Sequence, residues 1–250
     1  GVAGLLALIA AQGLGCFWPR ALVLLRLDDG TRLLGEIHDR ELVPPDDGPA
    51  RAPRWRVKIK TGNRDLTGAD FRWVDEERIV ERTEPPDAVL LERLEWGNFH
   101  GFAIEVREAS GATPMTTDDA WRKLERLLAA QDAVRATLRD IEKGDIGDIN
   151  TGMERVRLAR RKLDLAPPPA GVRRARESEL DAETARLQAA YDTQTGRLAG
   201  LRRELGAYIL ALETADGVRK ELPVGHVVRI VRPNRLGPAG TVGLYASRLW

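Results

Sequence analysis

The residues of this chain best suited to chemistry are cations and turn amides rather than nucleophiles. Arg155, Arg157, Arg160, Arg161 and Lys162 precede Pro167-Pro168-Pro169, and Arg173, Arg174 and Arg176 follow them. Only Glu154 and Asp164 lie among these cations before Glu177. If the chain reverses at the prolines, both clusters meet at one end and raise a positive potential that can steer an acidic partner or an anionic surface. The alternative is a solvated helix end, where cations are favoured in any case. A second group is Gly62, Asn63 and Arg64. Their backbone amides can cradle an oxyanion, or Gly62 and Asn63 can supply the left-handed positions of a hairpin turn. A third is the strand pattern in which Trp55, Val57 and Ile59 alternate with Arg54, Arg56, Lys58 and Lys60. It reads as an anion-binding face or as a solvated edge defended by Lys and Arg.

Other chemistries find no support. Nothing resembles a nucleophile elbow, a phosphate loop or a dinucleotide fingerprint. His38, His100 and His226 lack metal-ligand spacing, and the lone Cys16 rules out an intramolecular disulfide. Lys and Arg number 39 against 38 Asp and Glu, a balance that argues against a nucleic-acid partner for the whole chain. The expectation is a protein that is not an enzyme and needs no cofactor.

The elements that would position these groups fall into two periods. From residue 117 to 205 apolar residues step by threes and fours. Leu180, Thr184, Leu187, Tyr191, Gln194, Leu198, Leu201, Leu205 and Tyr208 make the cleanest heptad seam. Trp121, Leu124, Leu128, Val134, Leu138, Ile141, Ile149, Met153, Val156 and Leu163 make a rougher one, weakest at Gly144-Asp-Ile-Gly147. The prolines cannot continue a helix, so the spacing predicts an antiparallel coiled-coil hairpin reaching roughly 50 Å. Before and after it the period is two. Asp28-Asp29-Gly30-Thr31 and Asp216-Gly217 are hairpin turns, and short strands fill residues 21–108 and 208–231. No internal repeat beyond the heptads is evident. The fold expected is α+β: a small antiparallel β barrel or sandwich (residues 20–112 and 207–235) interrupted by the coiled-coil hairpin (113–206).

Residues 1–18 carry no charge and end in Phe17-Trp18. Their length just reaches a bilayer crossing, and the aromatics suit its interface. Residues 1–19 therefore read as the end of a transmembrane helix, the alternative being a buried core helix.

Three runs carry a family resemblance. Thr61-Gly-Asn-Arg-Asp-Leu-Thr-Gly-Ala-Asp-Phe-Arg-Trp-Val74, Leu91-Glu-Arg-Leu-Glu-Trp-Gly-Asn-Phe99 and Val228-Arg-Ile-Val-Arg-Pro-Asn234, the last followed by Tyr245-Ala-Ser-Arg-Leu-Trp250, resemble proteobacterial permease subunits of the high-affinity phosphate ABC transporter (the PstA type). In that family a long soluble insertion follows the first transmembrane helix and precedes the permease core, which this chain lacks. The resemblance implies a bacterial inner-membrane protein whose present segment is mainly periplasmic, with residues 236–250 approaching the next membrane segment. It implies a companion permease subunit, an ATPase subunit acting through the missing core, a periplasmic phosphate-binding protein and membrane lipid as partners. It carries over no catalytic residue. The competing readings are a structural spacer or assembly module and, more weakly, a small-anion-binding module.

Overall fold

Apolar residues alternate on both sides of Asp28-Asp29-Gly30-Thr31, and β1 (Leu22–Leu27) and β2 (Arg32–Leu42) pair antiparallel across that turn. Gly30 supplies its left-handed position at φ +83°. The computed structural model describes residues 20–43, 53–108, 110–237 and 240. The expected membrane segment at 1–19 and most of 236–250 lie outside them. Among the described residues no helix is long and apolar enough to cross a membrane.

Strands β3 (Trp55–Lys60), β4 (Phe71–Asp75) and β5 (Ile79–Thr83) complete a five-stranded antiparallel sheet in the order β4-β3-β2-β1-β5. A four-residue helix, α1 (Arg64–Thr67), fills the β3–β4 connection, and a 3₁₀ turn, Glu76–Arg78, joins β4 to β5. The second sheet holds β6 (Ala88–Arg93), β7 (Asn98–Glu108), β9 (Ile209–Glu213), β10 (Arg219–Pro223) and β11 (Val227–Val231), in the order β10-β9-β7-β6-β11. A short β8 (Gly111–Pro114) pairs with β7.

The two sheets repeat one plan. Each runs strand, turn, eleven-residue strand, third strand, then a 5-3-5 unit of strand, 3₁₀ turn and strand whose last member returns to the first. Irregularities recur in the same places. The second strands shift register between Ile37 and Asp39 and between Ala103 and Glu105, and the fifth strands skip Val80 and Val228. Gly35 and Gly101 each stand fourth in the second strand, where a Cβ would lie under 3.0 Å from the Lys60 or Glu213 carbonyl oxygen of the third strand. Only glycine lets the two backbones come this close. Gly101→Ala should therefore cost about 1–3 kcal/mol, read as a lowered urea midpoint. A midpoint matching the parent would show that the neighbouring strand yields. The sequence reading missed this repeat, because a helical insertion splits the second copy and few side chains are shared.

The helices occupy the place of the 43–54 connection of the first copy, between the second and third strands. Thr117 Oγ1 caps the first by accepting from Ala120 N at 3.2 Å. This helix runs unbroken for 48 residues, through α2 (Asp118–Asp140), a π turn at Ile141–Asp145 and α3 (Ile146–Leu165). After the prolines α4 (Ala170–Leu205) returns antiparallel, as Arg160–Asp181 and Glu142–Arg202 ion pairs of 2.6 and 2.8 Å record.

Two features of the expected fold are corrected. The β strands form neither a closed barrel nor one sandwich, but two open antiparallel sheets of five and six strands. Nor do the helices form a coiled-coil hairpin. A heptad seam needs apolar residues buried at both repeating positions, yet on α4 only Leu187 and Leu198 are buried, while Thr184 is exposed. Buried apolar contact between α3 and α4 is limited to Ile149, Val156 and Leu187, with Gly152 beneath the Leu187 methyls and Met153, Leu180, Ala190 and Tyr191 partly buried around them. The weak point at Gly144 is absorbed as a π turn without ending the helix.

The root of α2 belongs to the second sheet's core. Ala120, Trp121, Leu124 and Leu128 pack with Val89, Phe99, Leu210, Leu212 and Val224. Arg135 Nη1 donates to the Gly225 carbonyl at 2.6 Å. A Cβ on Gly225 would meet the Leu205 oxygen at 2.5 Å, so the end of α4 lies close over the second sheet's 3₁₀ turn, Val224–His226. Asp118 pairs with Arg235 at 3.0 Å, and Arg232 stacks 4.2 Å from the Trp121 ring. The arm is thus rooted at its base and free of the β core beyond.

Candidate functional site

The sheets meet reciprocally. Leu22 and Leu24 of β1 pack with Ala88 and Leu90 of β6, the equivalent positions of the other copy. Two asparagines act as surrogate strands across the joint. Asn63 Nδ2 donates to the His100 carbonyl at 2.8 Å and its Oδ1 accepts the His100 amide at 3.0 Å. Asn234 Oδ1 accepts the Leu22 amide at 2.8 Å, while its Nδ2 donates to the carbonyls of Leu22 and Pro85, each at 2.8 Å. Beside Asn63 lies an almost fully covered ion pair, Asp65 with Arg93, closed by two hydrogen bonds of 2.9 Å. Arg93 also donates to the carbonyls of Trp96 and Gly97, holding the β6–β7 turn in which both residues sit at φ +69°.

This geometry places the turn Gly62, Asn63 and Arg64. Gly62 and Asn63 are both left-handed, at φ +58° and +57°. The Asn63 amide donates to Asn98 O at 3.0 Å, and those of Leu66 and Thr67 to Asn63 O. The turn fastens one sheet to the other, and a Cβ on Gly62 would meet Asn98 O at 2.6 Å. Arg64 is exposed at the start of α1.

Between the β1–β2 turn, this turn and the β9–β10 turn lies a cleft of about 570 Å³, with Arg32, Arg72, Thr61, His100, Thr214 and Asp216 in its lining. Its charge is mixed. His100 is fully buried, and neither ring nitrogen makes a hydrogen bond among the described residues. Burial pushes its pKa down to about 4, with the nearby Lys60 charge acting in the same direction. The carbonyls of Lys60 and Thr61 pull the other way without reaching hydrogen-bond geometry. At neutral pH the ring is uncharged. Leu34 is its counterpart in the first copy.

At the far end of the arm the structure places Arg155, Arg157, Arg160, Arg161, Lys162, Arg173, Arg174 and Arg176 around one reversal, among Glu154, Asp164 and Glu177 and two further acids, Glu179 and Asp181. Arg157 pairs with Glu154, Arg160 with Asp181, Arg173 with Asp164 and Glu177, and Arg176 with Glu179. Arg155, Arg161, Lys162 and Arg174 make no ion pair among the described residues. The tip is a network of both signs with four unpaired cations, and its field is weaker than a bare count suggests.

The basic strand β3 is not an edge. It pairs with β2 on one side and β4 on the other, so edge protection does not explain its cations. Two of them stack on aromatic rings: Arg56 lies 4.6 Å from the Trp73 centroid and Lys58 5.0 Å from that of Phe71. Sequence reasoning gave no individual role to Asn234, Asp65, Arg93 or Trp73, although all four lie in the runs that carry the resemblance, and it did not foresee the burial of His100. No group of His, Cys, Asp and Glu among the described residues could hold a metal ion.

No family model, curated protein or solved structure matches this chain.

Proposed function

We propose that this chain is the periplasmic domain of a bacterial phosphate ABC transporter permease, working by contact with the phosphate-binding protein or the companion permease and catalysing nothing itself. What supports the reading is the convergence of the three runs that carry the resemblance. They lie far apart in sequence, yet Asp65 of the first holds Arg93 of the second, Asn63 of the first holds His100 just after the second, and Asn234 of the third clamps Leu22. Such runs have a shared structural task, the joint that sets the direction of the arm. An arm of about 50 Å, with a small apolar cluster of its own, suits reaching a partner rather than enclosing a substrate.

The test removes the far arm without touching its root, since Ala120–Leu128 are core. Residues 147–197 are replaced by a short Gly-Ser connector in the full permease. The urea midpoint of the β core should hold, while affinity for the binding protein or companion permease falls at least about tenfold, a change of 1.4 kcal/mol. Intact affinity with failed complex assembly would favour the spacer reading. Unchanged affinity, assembly and phosphate uptake would refute the proposal.

A further inference from the structure

The outer face of β2, β3 and β4 carries side chains that neither the joint nor the arm uses. In the β3–β4 register Lys58 stands opposite Trp73 and Lys60 opposite Phe71, all projecting from the same side of the sheet. Trp73 and Phe71 are exposed at 40% and 43%. Arg56 and Lys58 stack on Trp73, and Lys58 on Phe71, whose ring meets that of His38 edge-on at 5.3 Å. Arg56 is neutralised by Glu41, whereas Lys58 and Lys60 have no ion pair among the described residues. The surface therefore offers two rings and two free ammonium groups in one ladder.

We infer that this ladder rests on an anionic bilayer surface, with Phe71 and Trp73 at headgroup level and Lys58 and Lys60 against lipid phosphates. The inference rests on the reading that residues 1–18 end a membrane helix. The observation that selects the bilayer is where the chain leaves the described structure. Arg20, two residues after that apolar stretch, donates to the carbonyls of Ile37 and His38 at 2.7 and 3.2 Å, and His38 touches Phe71. The other membrane-ward continuation begins just after Asn234, which is clamped to Leu22. Arg20 and Asn234, the described residues next to the two continuations, both lie at the corner beside the ladder. Amphipathic rings with cations at their edges match the interfacial zone, and each lysine near anionic lipid contributes about 1 kcal/mol, roughly a fivefold change in occupancy.

The experiment uses the full chain reconstituted in phosphatidylglycerol/phosphatidylethanolamine vesicles whose lipids are brominated near the carbonyl end of the acyl chain. The emission lost in Trp73→Phe isolates Trp73, and that lost in Trp18→Phe isolates Trp18. Bromolipid should quench Trp73, and Lys58→Gln with Lys60→Gln should reduce that quenching about fivefold or more at an unchanged urea midpoint. Quenching of Trp18 but not Trp73 would overturn the ladder's contact while leaving the membrane reading intact. Quenching of neither would overturn both. Trp73 quenched by added oligothymidylate and not by bromolipid would make the face a single-stranded nucleic-acid surface, and would likewise overturn the inference.

Discussion

Arg93→Met should lower the unfolding free energy by about 3 kcal/mol and by as much as 5 kcal/mol, the range for removing one partner of a buried ion pair. The physical reason is what remains. The Asp65 side chain is 7% exposed, and without Arg93 its nearest cation is Lys220 at 3.4 Å, itself partly solvated. The carbonyls of Trp96 and Gly97 lose a donor in the same step. Asp65→Leu with Arg93→Met should recover part of the loss, because an apolar pair carries no stranded charge. The acid limb supplies a second signature. Burial on its own would raise the Asp65 carboxyl, but the hydrogen bonds and charge of Arg93 outweigh it and hold the group below the ordinary aspartate value. A depressed carboxyl contributes stability above its unfolded pKa and loses it as pH falls through the folded value. In Arg93→Met that acid-sensitive contribution should disappear. Urea unfolding at neutral pH and down to about pH 3 measures both effects. A single variant within 1 kcal/mol of the parent would show that Lys220 suffices.

Stability should also fall by about 3 kcal/mol between pH 6.5 and about pH 4 through His100 alone. Its folded pKa lies at about 4 against an ordinary value of 6.5, so the unfolded chain takes up the proton first. The loss begins as pH drops below 6.5 and is complete once pH passes the folded value. His100→Leu should abolish this slope at little cost near neutrality, for two reasons. The ring nitrogens make no hydrogen bond to lose, and Leu34 already fills the equivalent position of the first sheet. Asn63 grips the backbone of His100 rather than its ring, so that clamp should survive. Urea titrations of parent and variant at half-unit pH steps decide the matter. The same slope in both would assign the acid sensitivity elsewhere.

The ladder, the joint and the arm fit one mechanical scheme. The joint is held by two asparagine clamps, a covered ion pair and the Asn63–Asn98 backbone hydrogen bond between the sheets. The arm is rooted on the second sheet, so its direction is set by that joint, and the ladder belongs to the first sheet. A membrane-bound first sheet would therefore aim an arm grown from the second.

Most strands and both helical stretches were legible in the sequence, since period two and period three-to-four come from local geometry that burial on one face imposes. The turns at Gly30 and Gly217 were legible for the same local reason: both need a left-handed residue. Everything non-local was not. Alternation says that β3 has two faces, but not that β4 would cover its edge and turn its cations into partners of Phe71 and Trp73. A heptad pattern shows which helix face is apolar, but Thr184 and Gln194 left that face too poor to bury, and tertiary packing drew only the root of α2 into a core. The clusters flanking the prolines were visible as charge, and Glu177 and Glu179 pair with Arg173 and Arg176 within α4 itself; only the Arg160–Asp181 and Arg173–Asp164 pairs needed α4 to fold back beside α3. The repeat of the two sheets was hidden because a backbone plan can recur while its side chains differ, as Leu34 and His100 do. Sequence by itself therefore determined the elements and their exposed or buried sides. Which elements meet, and so which polar groups are satisfied, stacked or stranded, was decided by packing between residues far apart along the chain.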